Sequence, residues 1–169
     1  MSIYSIDKLI NETRRLAAEF RRTTGTMLPV SGEIARYDVS HHLGLSLNNT
    51  PNSGYDAIGT GERADLRVQI KGRVIGDCVK SAHRVGQLNP GGQWDIVILS
   101  LMDEDFEPLE MYQLSRDEVI DALRATSNRH KTISVAKFRI IGELVWTREY
   151  GTAVYADNFS SARQSLQQN

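Results

Sequence analysis

The chain has 169 residues, 40% of them hydrophobic and 24% charged, with a formal net charge of −1, which suits one soluble globular domain with a real core. The longest apolar stretch, Ile96 to Leu101, is far too short to cross a membrane, and the N-terminus lacks the basic start and apolar run of a secretory signal. A single cysteine, Cys78, excludes an intramolecular disulfide framework and a Cys-rich zinc site; the expectation is a cytoplasmic protein without a membrane partner.

From Ser5 to Thr23, the apolar residues Ile6, Leu9, Ile10, Leu16, Ala17 and Phe20 recur at helical spacing, and Gly25 offers a stop. This predicts an N-terminal helix (residues 1–25) appended to a single domain covering 1–169. Arg14-Arg15 and Arg21-Arg22 lie largely off the apolar stripe and read as a solvated face that can also touch phosphates. A second helix should follow Pro29, with Ser31 as N-cap, Ile34, Ala35, Val39 and Leu43 as its buried side, and Gly44 as its end.

Asn48 to Gly54 is a loop on composition, Tyr55 to Ile58 a short strand, and Gly59 to Glu62 a turn. In the next strand Leu66, Val68, Ile70 and Val74 alternate with Arg67, Gln69, Lys71 and Arg73, so one face is core and the other polar. After a Gly- and Pro-containing connection (Gly86 to Gln93), Trp94 to Leu101 is almost continuously apolar, the pattern of a central strand covered on both faces. Trp94 should begin this core strand. Leu109 to Leu114 should pair with it through the acidic turn Asp103 to Pro108. Ser115 and Glu118 form a capping box for a helix running to about Ala125. Ile133 to Trp146 keeps neither period, and the tail 160–169 is polar and expected to fray. The coarse order, two helices, four strands and a helix, predicts an α/β (mixed α+β) fold with a central mixed sheet flanked by helices.

Charge is unevenly spread. Between Arg63 and Arg84 six bases face two acids, whereas after Asp95, through Asp121, eight acids face only Arg116. The basic part coincides with the Gln69-x-Lys71 strand. Residues two apart on a strand project from one face, so Gln69 and Lys71 point together. If Tyr55–Ile58 pairs with that strand as a hairpin, Asp56 lies beside them at one end of the sheet. A carboxylate and an amide oxygen suit Mg²⁺, and a nearby lysine can position the attacking water and offset charge on a phosphate. Glu33, in the first turn of the second helix, interacts favourably with the helix dipole and is equally placed to reach a metal across the sheet end.

At these residues the chain resembles the PD-(D/E)xK nucleases, the restriction-endonuclease-like superfamily, with a QxK variant similar to Mrr-like enzymes. The resemblance spans roughly Gly32 to Leu114: a helix carrying Glu33, the Gly54-Tyr55-Asp56 strand, the Gln69-Ile70-Lys71 strand and the buried strand from Trp94. It implies a restriction-endonuclease-like core and a Mg²⁺-dependent nuclease acting on DNA, with Mn²⁺ a possible substitute. Asp56 and Gln69 would be metal ligands, Lys71 the catalytic lysine and Glu33 an accessory acid. Gln69 replaces the family's usual acid, which removes one negative charge unless Glu33 supplies it. The other class of function is a catalytically inactive nucleic-acid-binding or regulatory module with the same fold. Arg67 and Arg73 share the strand face and can guide a nucleic-acid backbone; Lys80, Ser81, His83 and Arg84 can contact phosphates beside the site. One such site cuts one strand, so double-strand cleavage calls for a homodimer or two successive events. His41-His42 diverge in direction on a helix and read as surface or partly buried histidines rather than a metal pair, and Cys78 reads as structural.

Overall fold

The computed structural model describes residues 5–76, 83–126 and 132–152. Cys78, Lys80, Ser81 and the 160–169 tail lie outside them. The N-terminal helix α1 runs Ile6–Thr24; Ser5 caps it by accepting from the Lys8 backbone N–H, and Gly25 ends it in the left-handed region at φ 70°. Helix α2, Ser31–Leu43, likewise stops at a left-handed Gly44. Its start differs from the expected one. Val30 is already helical in backbone conformation, and its carbonyl accepts from Ile34, so Ser31 is the first helical residue rather than the cap.

The strands are β1 (Ser46–Leu47), β2 (Ala57–Ile58), β3 (Arg67–Val74), β4 (Ile96–Met102), β5 (Pro108–Ser115), β6 (Glu143–Thr147) and β7 (Gly151–Thr152). They form one seven-stranded mixed sheet in sequential order, antiparallel throughout except for the parallel β3–β4 pair. Strand β1 was not anticipated; two residues are too few to display an alternation. Helix α3 (Arg116–Arg124) carries the expected Ser115–Glu118 capping box. The ambiguous stretch from Ile133 resolves into helix α4 (Val135–Ile141) and β6, joined at Gly142. One window therefore holds two periods, and neither could dominate.

Two hydrophobic clusters cover the sheet. Val97, Leu99 and Leu101 pack with Val119 and Leu123 of α3 and Phe138 of α4 on one side, while Ile96, Ile98 and Met102 meet Ile34, Ala35 and Val39 of α2 and Ala17 of α1 on the other. All seven β4 residues are buried, as its continuous apolar sequence required. Trp94, 1% exposed, sits just before this strand and donates its indole N–H to the Asn89 carbonyl.

Arg15 and Arg22 of α1 keep to the expected solvated face, with side chains 67% and 51% exposed, but Arg14 and Arg21 do not. Arg14 is buried and paired with Asp38 of α2 at 2.7 Å, and it also donates to the Phe106 carbonyl. Arg21 meets Glu104 at 2.9 Å, and Arg22 pairs with Asp105. The acidic β4–β5 turn is thus the electrostatic seat of α1.

Gly72, in the middle of β3, sets how closely α2 approaches the sheet. A Cβ there would stand 2.6 Å from Ala35 Cβ and would also collide with the Ser31 carbonyl oxygen, which is backbone and cannot swing aside. Gly72→Ala is expected to cost about 1–3 kcal/mol by overpacking, read as a lowered urea midpoint with an unchanged slope.

Candidate active site at the β1–β2 loop

Strands β1 and β2 form a hairpin whose long connection folds over the sheet edge. Asn48 organises it: its amide donates to Ser53 Oγ at 2.7 Å, its side-chain oxygen accepts from the Thr50 N–H at 3.1 Å, and Ser53 Oγ donates to the Tyr55 carbonyl at 2.9 Å. Asn52 and Gly54 supply the positive φ values, 59° and 84°, that turn the chain back. Beneath this loop lies a polar cleft of about 390 Å³ lined by the loop together with Arg36, Asp56 and Gln69.

Asp56 brackets Gln69. Its backbone N–H donates to the Val68 carbonyl at 2.8 Å, and its Oδ2 accepts from the Ile70 N–H at 2.7 Å. The carboxylate extends the β2–β3 ladder by one step where the backbone of β2 has already turned away. Gln69 lines the cleft, and its Oε1 is buried without a hydrogen-bond partner among the described residues. A buried acceptor left unsatisfied costs on the order of 1–3 kcal/mol, so this oxygen would gain from a donor or a cation. Two oxygen donors of this kind suit a hard divalent ion. Among the described residues, no group of three or more His, Cys, Asp or Glu side chains is arranged around a common point.

Lys71 projects from the same strand face as Gln69 but does not line the cleft. It is half-buried, and it forms no hydrogen bond or ion pair among the described residues. Burial pushes its ammonium below the ordinary 10.5, Asp56 pulls it back up, and Arg73 pushes it down again. Glu33 is further out. Its side chain is 70% exposed and pairs with Arg36 at 3.1 Å. Arg36 was not singled out in the sequence, although its place one helical turn after Glu33 puts the two on one face of α2. Its Nη2 donates to the Asn48 carbonyl at 3.1 Å, and its Nε lies 3.2 Å from Asp56 Oδ1. That Nε makes no aligned hydrogen bond, so charge alone holds it to Asp56.

The other basic candidates are engaged elsewhere. Arg67 forms a two-pronged pair with Asp95, at 2.9 and 2.8 Å, and its backbone N–H adds a third bond to the same carboxylate. The Arg67 hydrogen bond holds the Asp95 carboxyl down at about 2. Arg73 is half-buried and spends its guanidinium on the Arg84 and Gly72 carbonyls, at 2.7 and 2.6 Å. Arg84 itself is exposed and bridges to Ser134. His83 has a buried Nδ1 without a partner and lends its carbonyl to Val135. His42 packs against Trp146 with ring centres 4.4 Å apart and the planes tilted by 31°, and burial lowers its pKa, while His41 meets it edge-on. The two histidines serve packing.

No family model matches the chain, and no curated protein matches it.

Because the Lys71 pKa lies below that of an unfolded lysine, the unfolded chain holds more protons across that interval, and stability rises with pH through it. Asp56→Asn removes the upward pull. The Lys71 pKa is expected to fall further in that variant, as read by an NMR titration of the Lys71 Nζ; a value equal to or above wild type would contradict the coupling.

Proposed function

We propose that the chain is a metal-dependent nuclease hydrolysing phosphodiester bonds, with DNA as its substrate, built on a restriction-endonuclease-like core. The observation that carries this is the bracketing of Gln69 by Asp56, which sets a carboxylate beside an amide whose oxygen has no hydrogen-bond partner among the described residues, both residues lining one polar cleft. The order of elements supports the same reading: α2 bearing Glu33, Asp56 entering β2, Gln69 and Lys71 on β3, and the buried β4 alongside it. Asp56 and Gln69 would hold Mg²⁺, with Mn²⁺ able to substitute and Glu33 as the accessory acid. A bound cation would polarise the phosphate and make a coordinated water a better nucleophile.

The chain's own residues then have definite tasks. The Asp56 carboxylate is fixed by the Ile70 N–H, so it needs little reorganisation to serve as a ligand. The Lys71 ammonium, short of partners and partly desolvated, orients the attacking water and offsets charge gathering on the phosphate oxygens. Water oxygen bonds to phosphorus as the bond to the leaving sugar oxygen breaks; the attacking water gives up a proton to the solvent, and the leaving oxygen takes one from the solvent to become the free hydroxyl. One site cuts one strand; two cuts take a homodimer or two events.

A second reading, a catalytically inactive nucleic-acid-binding module, draws on Glu33. Its carboxylate is largely exposed and paired with Arg36 rather than turned to Asp56.

Plasmid and single-stranded DNA incubated with Mg²⁺ or Mn²⁺, then with EDTA, separate the two. Cleavage is expected only with the cation, and Lys71→Ala is expected to lower its rate by about a hundredfold or more. Cleavage unchanged in Lys71→Ala points to contamination, and salt-sensitive binding without cutting favours the module. Gln69→Glu restores a negative charge and is expected to tighten Mn²⁺ binding, measured calorimetrically without DNA.

A further inference from the structure

Arg36 is the side chain in the cleft that the nuclease reading leaves without a task. Its guanidinium touches three acceptors: Glu33 Oε2 at 3.1 Å, the Asn48 carbonyl at 3.1 Å and Asp56 Oδ1 at 3.2 Å. The first two contacts are hydrogen bonds donated by the two Nη groups. The third is an ion pair without hydrogen-bond alignment, through a buried Nε. The guanidinium therefore balances the very carboxylate assigned as a metal ligand, and it does so through the least directional of its contacts. A guanidinium and a divalent cation beside the same Asp56 oxygen repel each other.

We propose that Arg36 is a latch residue of the cleft: its guanidinium neutralises Asp56 until a divalent cation displaces it, and the freed guanidinium then receives the phosphate of the incoming nucleic acid. This rests on the nuclease reading of the same site and adds a regulatory step to it. The chemistry suits the residue. Arginine stays charged at any working pH, and its planar fork matches two oxygens of a phosphate, which a lysine ammonium does not. The bonds to Glu33 and the Asn48 carbonyl tether the side chain, so release from Asp56 leaves it at the cleft rather than in bulk solvent. The Asn48 carbonyl belongs to the loop over the cleft, so the movement is also felt there.

The test measures the cation and the nucleic acid separately. Mn²⁺ alone is titrated into the full chain by electron paramagnetic resonance, in wild type, Arg36→Gln, Arg36→Lys, Asp56→Asn and the double variant Arg36→Gln/Asp56→Asn. Arg36→Gln is expected to bind Mn²⁺ about two- to fivefold tighter than wild type, the scale set by one partly screened charge pair. The gain should vanish in the double variant, and Arg36→Lys, which keeps the charge, should stay near wild type. A short DNA duplex, followed by fluorescence anisotropy in Ca²⁺, should bind more weakly to Arg36→Gln, with a shallower salt dependence by about one phosphate contact; Arg36→Lys should recover only part of the loss.

Relief of charge repulsion alone would tighten Mn²⁺ binding without weakening DNA binding, so the latch requires both changes in Arg36→Gln, and circular dichroism of each variant establishes that the fold is retained. Mn²⁺ affinity in Arg36→Gln equal to or weaker than wild type overturns the latch while leaving the metal site standing, and so does unchanged DNA affinity. Absence of Mn²⁺ binding in every variant, wild type included, overturns both the latch and the reading beneath it. Mn²⁺ binding that is absent in wild type and present in Arg36→Gln supports the latch.

Discussion

The approach of α2 to β3 at Gly72 is the constraint on which the cleft depends. With no side chain at that position, the helix lies against the strand at backbone distance, Ser31 and Ala35 resting where a Cβ would otherwise be. Ile34, Ala35 and Val39 then share a core with Val68 and Ile70. Arg36 follows Ala35 directly, so seating Ala35 on Gly72 fixes how far the Arg36 guanidinium can extend beyond the sheet edge. Arg36 consequently reaches both the β1–β2 loop and Asp56. A wider spacing would leave Asp56 bonded to the Ile70 N–H but without its counter-charge.

Charge in this protein is mostly spent on assembly. The basic run around β3 suggested an exposed surface for an anionic partner, yet Arg67 is consumed by Asp95 and Arg73 by backbone carbonyls. The acidic β4–β5 turn, which looked like a solvated counterweight, receives Arg21 and Arg22 of α1, while Arg148 from beyond β6 pairs with Asp103 at 2.7 Å. These pairs are largely exposed and individually weak. Arg14–Asp38 differs: both partners are buried, and removing either would strand a charge in the core between α1 and α2. Among the described residues, what remains for a ligand is the set at the loop, Asp56, Gln69 and Arg36, with Lys71 beside it and the exposed Arg84, which is engaged through its backbone, further off.

Apart from the start of α2, where Val30 rather than Ser31 takes the cap position, local chemistry was legible in the sequence. Gly25 and Gly44 end their helices in the left-handed region, Ser115 and Glu118 cap α3, and the alternation of β3 and the unbroken apolarity of β4 match their burial. The meeting of Asp56 with the Gln69 strand was also readable, because a hairpin makes it nearly local. What escaped was set by tertiary contact. Arg14 sits among apolar neighbours in a pattern that says exposed helix, and only Asp38, 24 residues away, makes its burial tolerable. Arg36 acquires its meaning from Asp56 and Asn48, on another element. The α4–β6 junction hid inside one window because a seven-residue helix and a five-residue strand follow one another across Gly142, each too short to display its own period.

The amide at Gln69 takes a different sense once Arg36 is counted. In the cleft the Asp56 carboxylate is balanced by the Arg36 guanidinium, and the two charges outside its lining, Glu33 and Lys71, also cancel, so the set is formally neutral without any ligand. On the nuclease reading, a divalent cation entering that balanced set leaves a surplus of positive charge in a partly desolvated place, which the phosphate of a nucleic acid is suited to offset. A glutamate at position 69 would lower that surplus and let the cation settle unaided. With glutamine, on the same reading, cation and phosphate each improve the site for the other, so the cation would be held more tightly when substrate is present.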